Sequence, residues 1–476
     1  MNSEFKAHPL MILSEIKPFL FVLILPLTRV VLQYFIEGET VDIFGFEGLL
    51  LCTIMIVTVF RWRYFCLLYN NGRISIKKGF ILTSCAEIYL KDISCIEVRQ
   101  NLIDLCFSCV TYCINTEAGG RKRANFKFKL KSGDARRLSV LLYGEENFAR
   151  MSFSPVKTAV WAISTSSVSA GLIIGFPILN NVGRLLDLAL SELILKKLNQ
   201  LSGKTENFFP PAVNAVTVIL LLAYLFSFVY GFIKYIKFSL YTNSRHIKVY
   251  SGFFVRSKSV FLKRAINDIK IEQTPIMMLF KRYSVKADVA GFGTRKDEGQ
   301  IISLSATKRE TKKIKKFFFP SFVWSGEAVY VEKKKKVRNR FFFFPTLLLI
   351  AIPTVCGFLG LIFTKLSGLI LFIAFISLFF VFYSAYINSY EYRNAFLKID
   401  ESLSVCSTKR FKSCSLFCKK ENIGEIKLRE YFTDKKRGSC RIIFKVASKN
   451  RDKIRIRHLN ADRVKGVINK TFNTDV

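Results

Sequence analysis

The chain has 476 residues, of which 51% are hydrophobic and 14% aromatic, and its 73 Lys and Arg outnumber its 35 Asp and Glu to give a net charge of +38. The positive mean hydropathy of +0.28 argues against a single soluble domain, and the 47 Phe argue against a disordered basic tail. One chain can combine both properties if the apolar residues lie in membrane spans and the charge lies in domains on one side of the membrane.

The apolar residues form six stretches that follow one another in pairs. Most of these stretches approach the roughly 20 residues that a helix needs to cross a hydrocarbon core of about 30 Å. The sequence therefore predicts six spans arranged as three hairpins. The paired stretches are Pro18–Phe35 with Gly48–Phe60, Val156–Leu179 with Val213–Ile233, and Phe341–Phe363 with Leu369–Ile387.

The basic residues predict the orientation of these hairpins. Three polar segments, 61–156, 234–340 and 388–476, hold 64 of the 73 Lys and Arg, whereas loop 36–47 has four acidic residues and no basic one. By the positive-inside rule, the polar segments and both termini are expected in the cytoplasm of a multi-pass protein of the plasma membrane. None of the 12 Cys falls in a predicted outer loop, so we expect thiols rather than disulfides.

These patterns divide the chain into alternating membrane and polar parts. The longest outer loop has Leu and Ile at helical spacing and predicts an amphipathic helix that lies on the membrane or caps the bundle. The predicted parts are a first hairpin at 1–60, a polar domain at 61–155, a second hairpin at 156–233 with its outer loop at 180–212, a polar domain at 234–320, a basic linker at 321–340, a third hairpin at 341–387 and a polar domain at 388–476.

The polar domains repeat one motif at fixed spacing. Gly79 precedes Gln100 by 21 residues, and Gly252 precedes Gln273 by the same distance. An Ala-Gly pair follows each Gln, which adds Gly119 and Gly291 to the motif. In the third domain Glu430 stands at the Gln position, and no Ala-Gly pair follows. An Ile lies seven residues before this position in all three domains, at Ile93, Ile266 and Ile423.

Within each domain, polar and apolar side chains alternate along short runs, as in Arg73–Lys77 and Lys453–Arg457. This alternation predicts half-buried antiparallel strands. A more helical stretch closes each domain, so we expect a small curved sheet or open barrel with one C-terminal helix, an α+β fold. The predicted helical stretches are Leu138–Met151, Thr307–Phe318 and Asn460–Lys470.

A glycine after the opening strand, the Ile-x6-Gln spacing and the preceding apolar hairpin together resemble the bacterial pleckstrin-homology-like (PH-like) membrane proteins of the YdbT type. The resemblance covers nearly the whole chain, with a divergent third copy. It implies two packed antiparallel sheets capped by a helix in each domain. It also implies a smaller membrane protein with a similar domain as partner, or self-association, and no established chemistry.

Catalytic signatures are missing from the sequence. It contains no phosphate-binding loop, no H-E-x-x-H and no dinucleotide fingerprint, and its three His are scattered, so we expect no enzyme activity and no cofactor. Two cysteine groups, Cys106/Cys109/Cys113 and Cys414/Cys418, leave metal binding as an alternative to buried structural thiols. No His accompanies either group, so the structural interpretation is favoured and no metal site is predicted.

Three basic clusters are candidate contacts to anionic lipid, which attracts basic residues near its surface by about 1 kcal/mol each. The clusters adjoining the spans also serve to fix topology, and both interpretations stay open; for the loop after Gly119, a solvated loop is the alternative. The candidate residues are Lys77 and Lys78, then Arg121, Lys122 and Arg123, and finally Lys333, Lys334, Lys335, Lys336, Arg338 and Arg340.

These observations favour a non-enzymatic membrane scaffold whose cytoplasmic PH-like domains bind one another, a partner membrane protein or anionic lipid. The resemblance further suggests a role in cell-envelope stress or tolerance of antimicrobial peptides. The alternative is a transport or lipid-handling protein gated by the domains. Nucleic acid is not expected as a partner, because the charge is spread over three membrane-tethered domains without a recognition helix.

Overall fold

A computed structural model shows how the three polar segments fold. It describes residues 3–16, 46–79, 83–116, 126–144, 148–171, 211–290, 292, 299–319, 328–331, 335–364, 367–399, 402–409, 412–430, 438–446 and 453–472. The chain divides into two compact units. Unit 1 contains residues 1–151, 239–265 and 290–294, and unit 2 contains residues 152–238, 266–289 and 295–476.

One architecture occurs three times along the chain. Each repeat has four antiparallel strands that are neighbours in one sheet, then three more antiparallel strands, then a helix, and the segment that carries the predicted apolar hairpin separates its first strand from its second. In repeat 1 the strands are β1 (Ser3–Lys6), β2 (Cys66–Asn70), β3 (Arg73–Lys78), β4 (Ser84–Tyr89), β5 (Ile93–Gln100), β6 (Cys109–Thr116) and β7 (Phe126–Lys131). Its helices are α1 (Phe46–Arg63), α2 (Leu102–Cys106) and α3 (Ser132–Tyr143).

Repeats 2 and 3 use the same order. Repeat 2 has β8 (Ala149–Ser152), α4 (Pro155–Thr165), α5 (Pro211–Tyr235), β9 (Ser239–Thr242), β10 (His246–Ser251), β11 (Arg256–Leu262), β12 (Ile266–Gln273), α6 (Pro275–Leu279), β13 (Tyr283–Val289), β14 (Gln300–Ala306) and α7 (Lys308–Phe318). Repeat 3 has β15 (Ala328–Tyr330), α8 (Lys335–Ile362), α9 (Ser367–Asn394), β16 (Phe396–Ile399), β17 (Ser402–Lys409), β18 (Lys412–Lys419), β19 (Ile423–Arg429), β20 (Ser439–Val446), β21 (Lys453–Asn460) and α10 (Ala461–Phe472).

In unit 1, the sheet β1-β2-β3-β4 packs on the last strands of repeat 1 through a shared core. This core contains Phe65, Ile74, Tyr112 and Phe128, together with Val260 from β11. Strand β11 reaches this core because it pairs with β5, so that one seven-stranded sheet runs in the order β7-β6-β5-β11-β10-β9-β8. The alternation of apolar and polar residues predicted in β3 is present, with Ile74 and Ile76 buried.

In unit 2, a second seven-stranded sheet runs in the order β14-β13-β12-β18-β17-β16-β15, and β19-β20-β21 form a separate three-stranded sheet. The core of repeat 3 joins these two sheets to α10, with Leu416, Phe444, Ile456 and Val464 buried. The third copy therefore keeps the fold of the other two despite its divergent motif.

The helices confirm the predicted hairpins in part. Val337–Ile362 in α8 and Ile370–Asn394 in α9 are long and apolar enough to cross a membrane. The predicted stretches Gly48–Phe60 and Val213–Ile233 lie within helices α1 and α5. The stretch Val156–Leu179 is not one helix over its described part, because α4 ends at Thr165 and helical residues resume at 168–171. Residues 18–35 and the outer loop 180–212 fall outside the described residues, apart from 211 and 212 at the start of α5.

The predicted helix Leu138–Met151 is displaced. The helix that closes repeat 1 spans Ser132–Tyr143 and stops at Gly144. The backbone φ of Gly144 is 67°, which residues with a Cβ adopt only under strain. Residues 149–152 form β8 instead, because they pair at the edge of the sheet of repeat 2. The opening strands β1, β8 and β15 each precede the apolar segment of their repeat. The sequence-based division instead placed β1 in the first hairpin, β8 at the end of the first polar domain and β15 in the basic linker.

Candidate functional site

The segment between β1 and β2 leaves the sheet of repeat 1 at one end, here called the hairpin end. The indole Nε1 of Trp62 donates to the carbonyl of Ala7 at 2.8 Å and closes the base of this segment. Cys66, the first residue of β2, lies opposite Lys77 in β3. The hairpin end is therefore formed by the start of β2, the end of β3 and the start of β4.

The predicted pair Lys77 and Lys78 lies at the hairpin end. The Nζ of Lys78 is 5.7 Å from the ring centroid of Phe65, and burial lowers the pKa of this lysine. Arg61, in the last turn of α1, pairs with Glu15 at 3.4 Å. A lysine with an apolar stem contact and a charged head is suited to the boundary between a protein core and a polar surface.

Helix α2 lies at the same end. The backbone N–H of His8 donates to the carbonyl of Lys129 at 2.8 Å, and the Nζ of Lys129 contacts the buried carboxylate of Asp104 in α2 at 2.5 Å. These contacts place α2 beside the end of β1, from which the chain leads into the predicted first hairpin. The helix and the residue after it nevertheless expose large apolar side chains, with Ile103 56% exposed and Phe107 60% exposed.

A second exposed apolar segment adjoins α2. Arg256, the first residue of β11, lies opposite Gln100, which directly precedes the turn into α2. The tip between β10 and β11 starts at Gly252, whose φ of 96° matches the φ of 101° at Gly79, and it exposes Phe253, Phe254 and Val255. Such clustered exposure of large apolar residues is typical of an interaction surface.

The repeated Gln has a structural role. The Nε2 of Gln100 donates to the carbonyl of Cys109 at 3.2 Å, and the Nε2 of Gln273 donates to the carbonyl of Arg282 at 3.0 Å. Each amide thus fixes the connection that contains α2 or α6. Gln273 also accepts a hydrogen bond from the Tyr390 hydroxyl of α9 at 3.2 Å. In repeat 3, Glu430 instead pairs with Lys465 of α10 at 3.4 Å.

Repeat 3 contains a cationic groove of about 490 Å³. Its lining combines six basic residues with one carboxylate, Glu391, from the last turns of α9. Glu391 is buried, contacts Arg457 at 2.6 Å and accepts a hydrogen bond from the Thr408 hydroxyl at 2.7 Å. The groove is lined by Glu391, Ser407, Thr408, Cys414, Lys427, Arg429, Ile443, Lys445, Lys453, Ile454, Arg455 and Arg457.

The alternation of β21 creates one wall of this groove. Ile454 and Ile456 point into the core, so that Lys453, Arg455 and Arg457 share the opposite face. The sequence analysis identified this alternation as a strand and did not identify its basic face as a site. The signal was present, since three basic residues at every second position of a strand must lie on one face.

The remaining predicted residues are placed unevenly. Lys335 and Lys336 begin α8, and Arg338 in its first turn is exposed, whereas Arg340 is half-buried. Gly119, Gly291, Arg121, Lys122, Arg123, Lys333 and Lys334 fall outside the described residues. The clusters are therefore not brought together into one site by the described part of the chain.

Of the two cysteine groups, Cys109, Cys113, Cys414 and Cys418 are buried in the sheets, whereas Cys106 ends α2 and is exposed. Burial raises the pKa of the Cys109 and Cys113 thiols to about 11, which keeps them protonated at neutral pH. Among the described residues, no three or more His, Cys, Asp or Glu side chains are grouped so that they could hold a metal ion.

Comparison with known proteins identifies the family. The bacterial PH domain family matches residues 19–145 and 189–316, which together are just over half of the chain. Searches of curated proteins and of solved structures found no match. The two matched regions contain most of repeats 1 and 2, including both Gly and Gln positions, and begin after the opening strands β1 and β8. The resemblance inferred from the sequence is thus confirmed for two copies, and the chain belongs to the bacterial PH domain family.

Proposed function

We propose that this chain is a non-enzymatic integral membrane scaffold that rests the hairpin ends of its PH-like domains on an anionic bilayer. In this proposal six spans, arranged as three hairpins, anchor the domains on the cytoplasmic side. The observation that carries the proposal is the exposed apolar surface of α2 and of the β10–β11 tip. It lies at the end of the sheet where the chain enters the first hairpin.

Apolar side chains at this place suit a lipid interface. In water each exposed Phe or Leu forgoes about 1.5–3 kcal/mol of burial, and insertion into the boundary between headgroups and acyl chains recovers part of it. Lys77, Lys78 and Arg256 lie at the same end and supply positive charge for the phosphates of anionic lipids. Apolar tips and flanking cations together favour an anionic membrane over a neutral one.

The groove of repeat 3 supports the same function. Arg457 and Thr408 meet at Glu391, which belongs to the end of α9 that leads into β16. This end of the groove is therefore adjacent to the base of the third hairpin. Lys453 and Arg455 extend the positive surface along β21. Such a surface offers several charge-assisted hydrogen bonds to a phosphate headgroup.

Transport is less well supported. The charged residues of α8 lie in its first turns, at Lys335, Lys336, Arg338 and Arg340, and those of α9 lie in its last turns, at Glu391 and Arg393. A transport pathway normally places polar or charged groups near the middle of its spans. Among the described residues, the two helices long enough to span a membrane, α8 and α9, have no charged residue at that depth.

The lipid contact can be tested with photo-crosslinking in the full chain. Benzoylphenylalanine at Phe107 should crosslink to lipid in nanodiscs that contain phosphatidylglycerol, whereas the same residue at Val140 should not. Val140 is a matched control because it is also exposed, but lies on α3 next to Leu141, whose carbonyl contacts Tyr69 away from the hairpin end. Equal crosslinking at both positions would contradict the proposal.

The charge contribution needs a separate variant. Lys453→Gln with Arg455→Gln should reduce the amount of phosphatidylglycerol retained by the purified chain in native mass spectrometry. The control Lys419→Gln with Lys420→Gln removes the same charge from residues at and just after the end of β18, which do not line the groove. Retention that falls equally in both variants would indicate a non-specific effect of net charge.

A further inference from the structure

The repeats are joined through sheet edges, and the two joints have one register. In the first joint β11 of repeat 2 pairs with β5 of repeat 1, and Phe261 lies opposite Cys95. In the second joint β18 of repeat 3 pairs with β12 of repeat 2, and Cys418 lies opposite Asp268. Cys95 and Asp268 each lie two residues after the repeated Ile, and Phe261 and Cys418 each lie five residues before the next one. The chain therefore builds the same antiparallel joint twice.

Two strands that correspond to the joint strands remain unpaired on this edge. Among the described residues, β4 pairs only with β3, and β19 pairs only with β20. The first and last strands of the repeats, such as β1 and β7, are edge strands in all three copies. Within the described part of the chain, only β4 and β19 are open where their counterparts are covered. The counterparts of β4 are β11 and β18, and those of β19 are β5 and β12.

The open strands also keep the sequence features of a joint. In β12 the Asp268 carboxylate and the Lys270 ammonium are 3.6 Å apart and 0% and 8% exposed. The equivalent pair in β19, Glu425 with Lys427, is 2.6 Å apart but 36% and 44% exposed. The third repeat thus carries the same pair of opposite charges at the joint position, without a strand that covers it.

We propose that β4 of one copy of this chain pairs with β19 of a second copy in the register of the two internal joints. This register places Ile88 opposite Glu425, Ala86 opposite Lys427 and Ser84 opposite Arg429. A second copy is the occupant that fits, because each chain has one open strand of each type and already forms this joint twice. Edge-to-edge pairing of this kind supplies main-chain hydrogen bonds to both strands.

The contact joins two different surfaces, so it adds copies head to tail into a ring or a filament. Glu87 makes this joint weaker than the internal ones. It occupies the position of Val260, which is buried in the core of repeat 1, and of Phe417, which is buried in unit 2. A charge on an edge strand limits uncontrolled pairing, so the joint between copies is reversible.

Disulfide trapping tests the register. Two full-length chains, one with Ala86→Cys and the other with Lys427→Cys, are tagged differently, placed in a Cys85→Ser background and reconstituted together in vesicles. Directly opposed residues have Cβ atoms about 4.5–5.5 Å apart, and the closest of these pairs reach the upper end of the roughly 3.5–4.5 Å that a disulfide requires. We expect a crosslinked heterodimer in the mixture and at most one-tenth of its yield with either chain alone. A chain with Arg429→Cys in place of Lys427→Cys should crosslink several-fold less, because its cysteine lies two residues away from the position opposite Ala86.

Other outcomes would overturn the proposal. Equal crosslinking of either chain with itself would indicate a symmetric contact. A double variant that forms its disulfide within one chain would indicate closure of a single copy. Absence of crosslinks from well-folded chains, together with co-purification of a different PH-domain protein, would assign β4 and β19 to that partner.

A second variant tests the joint without cysteines. Glu87→Val restores the residue type of the internal joint and should lower the dissociation constant between copies by about tenfold or more, as burial of one Val implies. Glu87→Lys serves as the control and should not do so. The lipid crosslink at Phe107 tests the proposed membrane contact in a separate measurement. Failure of one proposal can therefore be distinguished from failure of the other.

Discussion

Strands β12 and β19 have nearly the same sequence pattern and the same place in their repeats, but different surroundings. Strand β12 lies between β13 and β18, whereas β19 has a neighbour only on the side of β20. The Asp268–Lys270 pair is consequently buried, and the Glu425–Lys427 pair remains partly in water. Whether a neighbouring repeat covers the strand, rather than the local sequence, therefore determines how much each ion pair contributes to the free energy of unfolding.

The largest difference should appear when the lysine of each pair is replaced. Lys270→Met removes a cation next to the buried Asp268 carboxylate and should destabilise the protein by about 3 kcal/mol or more. Lys427→Met breaks a pair that is more than one-third exposed and should cost less than about 1 kcal/mol. Thermal unfolding of both full-length variants in detergent measures the difference. Similar melting temperatures for both would show that cover does not matter.

Lys315, which packs against β18 at the joint with β12, makes the stability of the protein depend on pH. Its Nζ lies 4.0 Å from the ring centroid of Phe417 in β18, and burial lowers the pKa of this lysine to about 8 from its ordinary value of 10.5. The unfolded chain binds more protons than the folded one between about pH 8 and 10.5, so stability from this group rises with pH across that window. At neutral pH the cost is roughly 3 kcal/mol.

Lys315→Met should therefore stabilise the protein most below pH 8, and the gain should vanish by about pH 10.5. The exposed neighbour Lys316 provides the control, because Lys316→Met removes the same charge from α7. Melting temperatures from pH 7 to 10.5 measure both variants. A gain for Lys315→Met that stays constant with pH would contradict the assignment.

The repeated Gln offers a smaller contrast. Gln273→Ala removes one donated and one accepted hydrogen bond from a buried site and should cost about 2 kcal/mol. Gln100→Ala removes one donated hydrogen bond from a half-buried site and should cost about 1 kcal/mol. Chemical denaturation measures which of the two variants loses more free energy of unfolding. The reverse order would show that the Tyr390 contact does not contribute.

The smallest expected effects concern glycine. Gly252→Ala places a Cβ at a φ of 96° and should destabilise by about 1 kcal/mol. Gly466→Ala lies within α10 with open space around the new Cβ, so it should stabilise by about 0.5–1 kcal/mol. Opposite shifts in melting temperature are expected.

Several of these features were predictable from sequence. The spacing from Gly252 to Gln273 indicated a repeated turn and a repeated anchor, and the positive φ and the amide hydrogen bond are the physical reasons for both. The helix at Thr307–Phe318 was predictable because Thr307 and Glu310 form a capping box. The opening strands were not predictable, since β1 and β15 have four and three residues and pair across an entire hairpin.

The candidate sites were less accessible to sequence reasoning. Lys77 and Lys78 were recognised as candidates from their charge, but their place beside the hairpin depends on the register of β2 and β3. The groove of repeat 3 was missed because its residues come from α9, β17, β18 and β19–β21, and no local pattern reports that they converge.

Each repeat was predictable as a set of local features: paired apolar stretches, strands with alternating side chains, a closing helix and an excess of positive charge. These are local properties, fixed by side-chain periodicity and by residues within a few positions of one another. The pairing of β11 with β5 and of β18 with β12 is visible only in the tertiary structure. This pairing sets which carboxylates are buried and which strand edges stay open. Pairing between distant strands depends on main-chain hydrogen bonds and shared cores, which local periodicity does not encode.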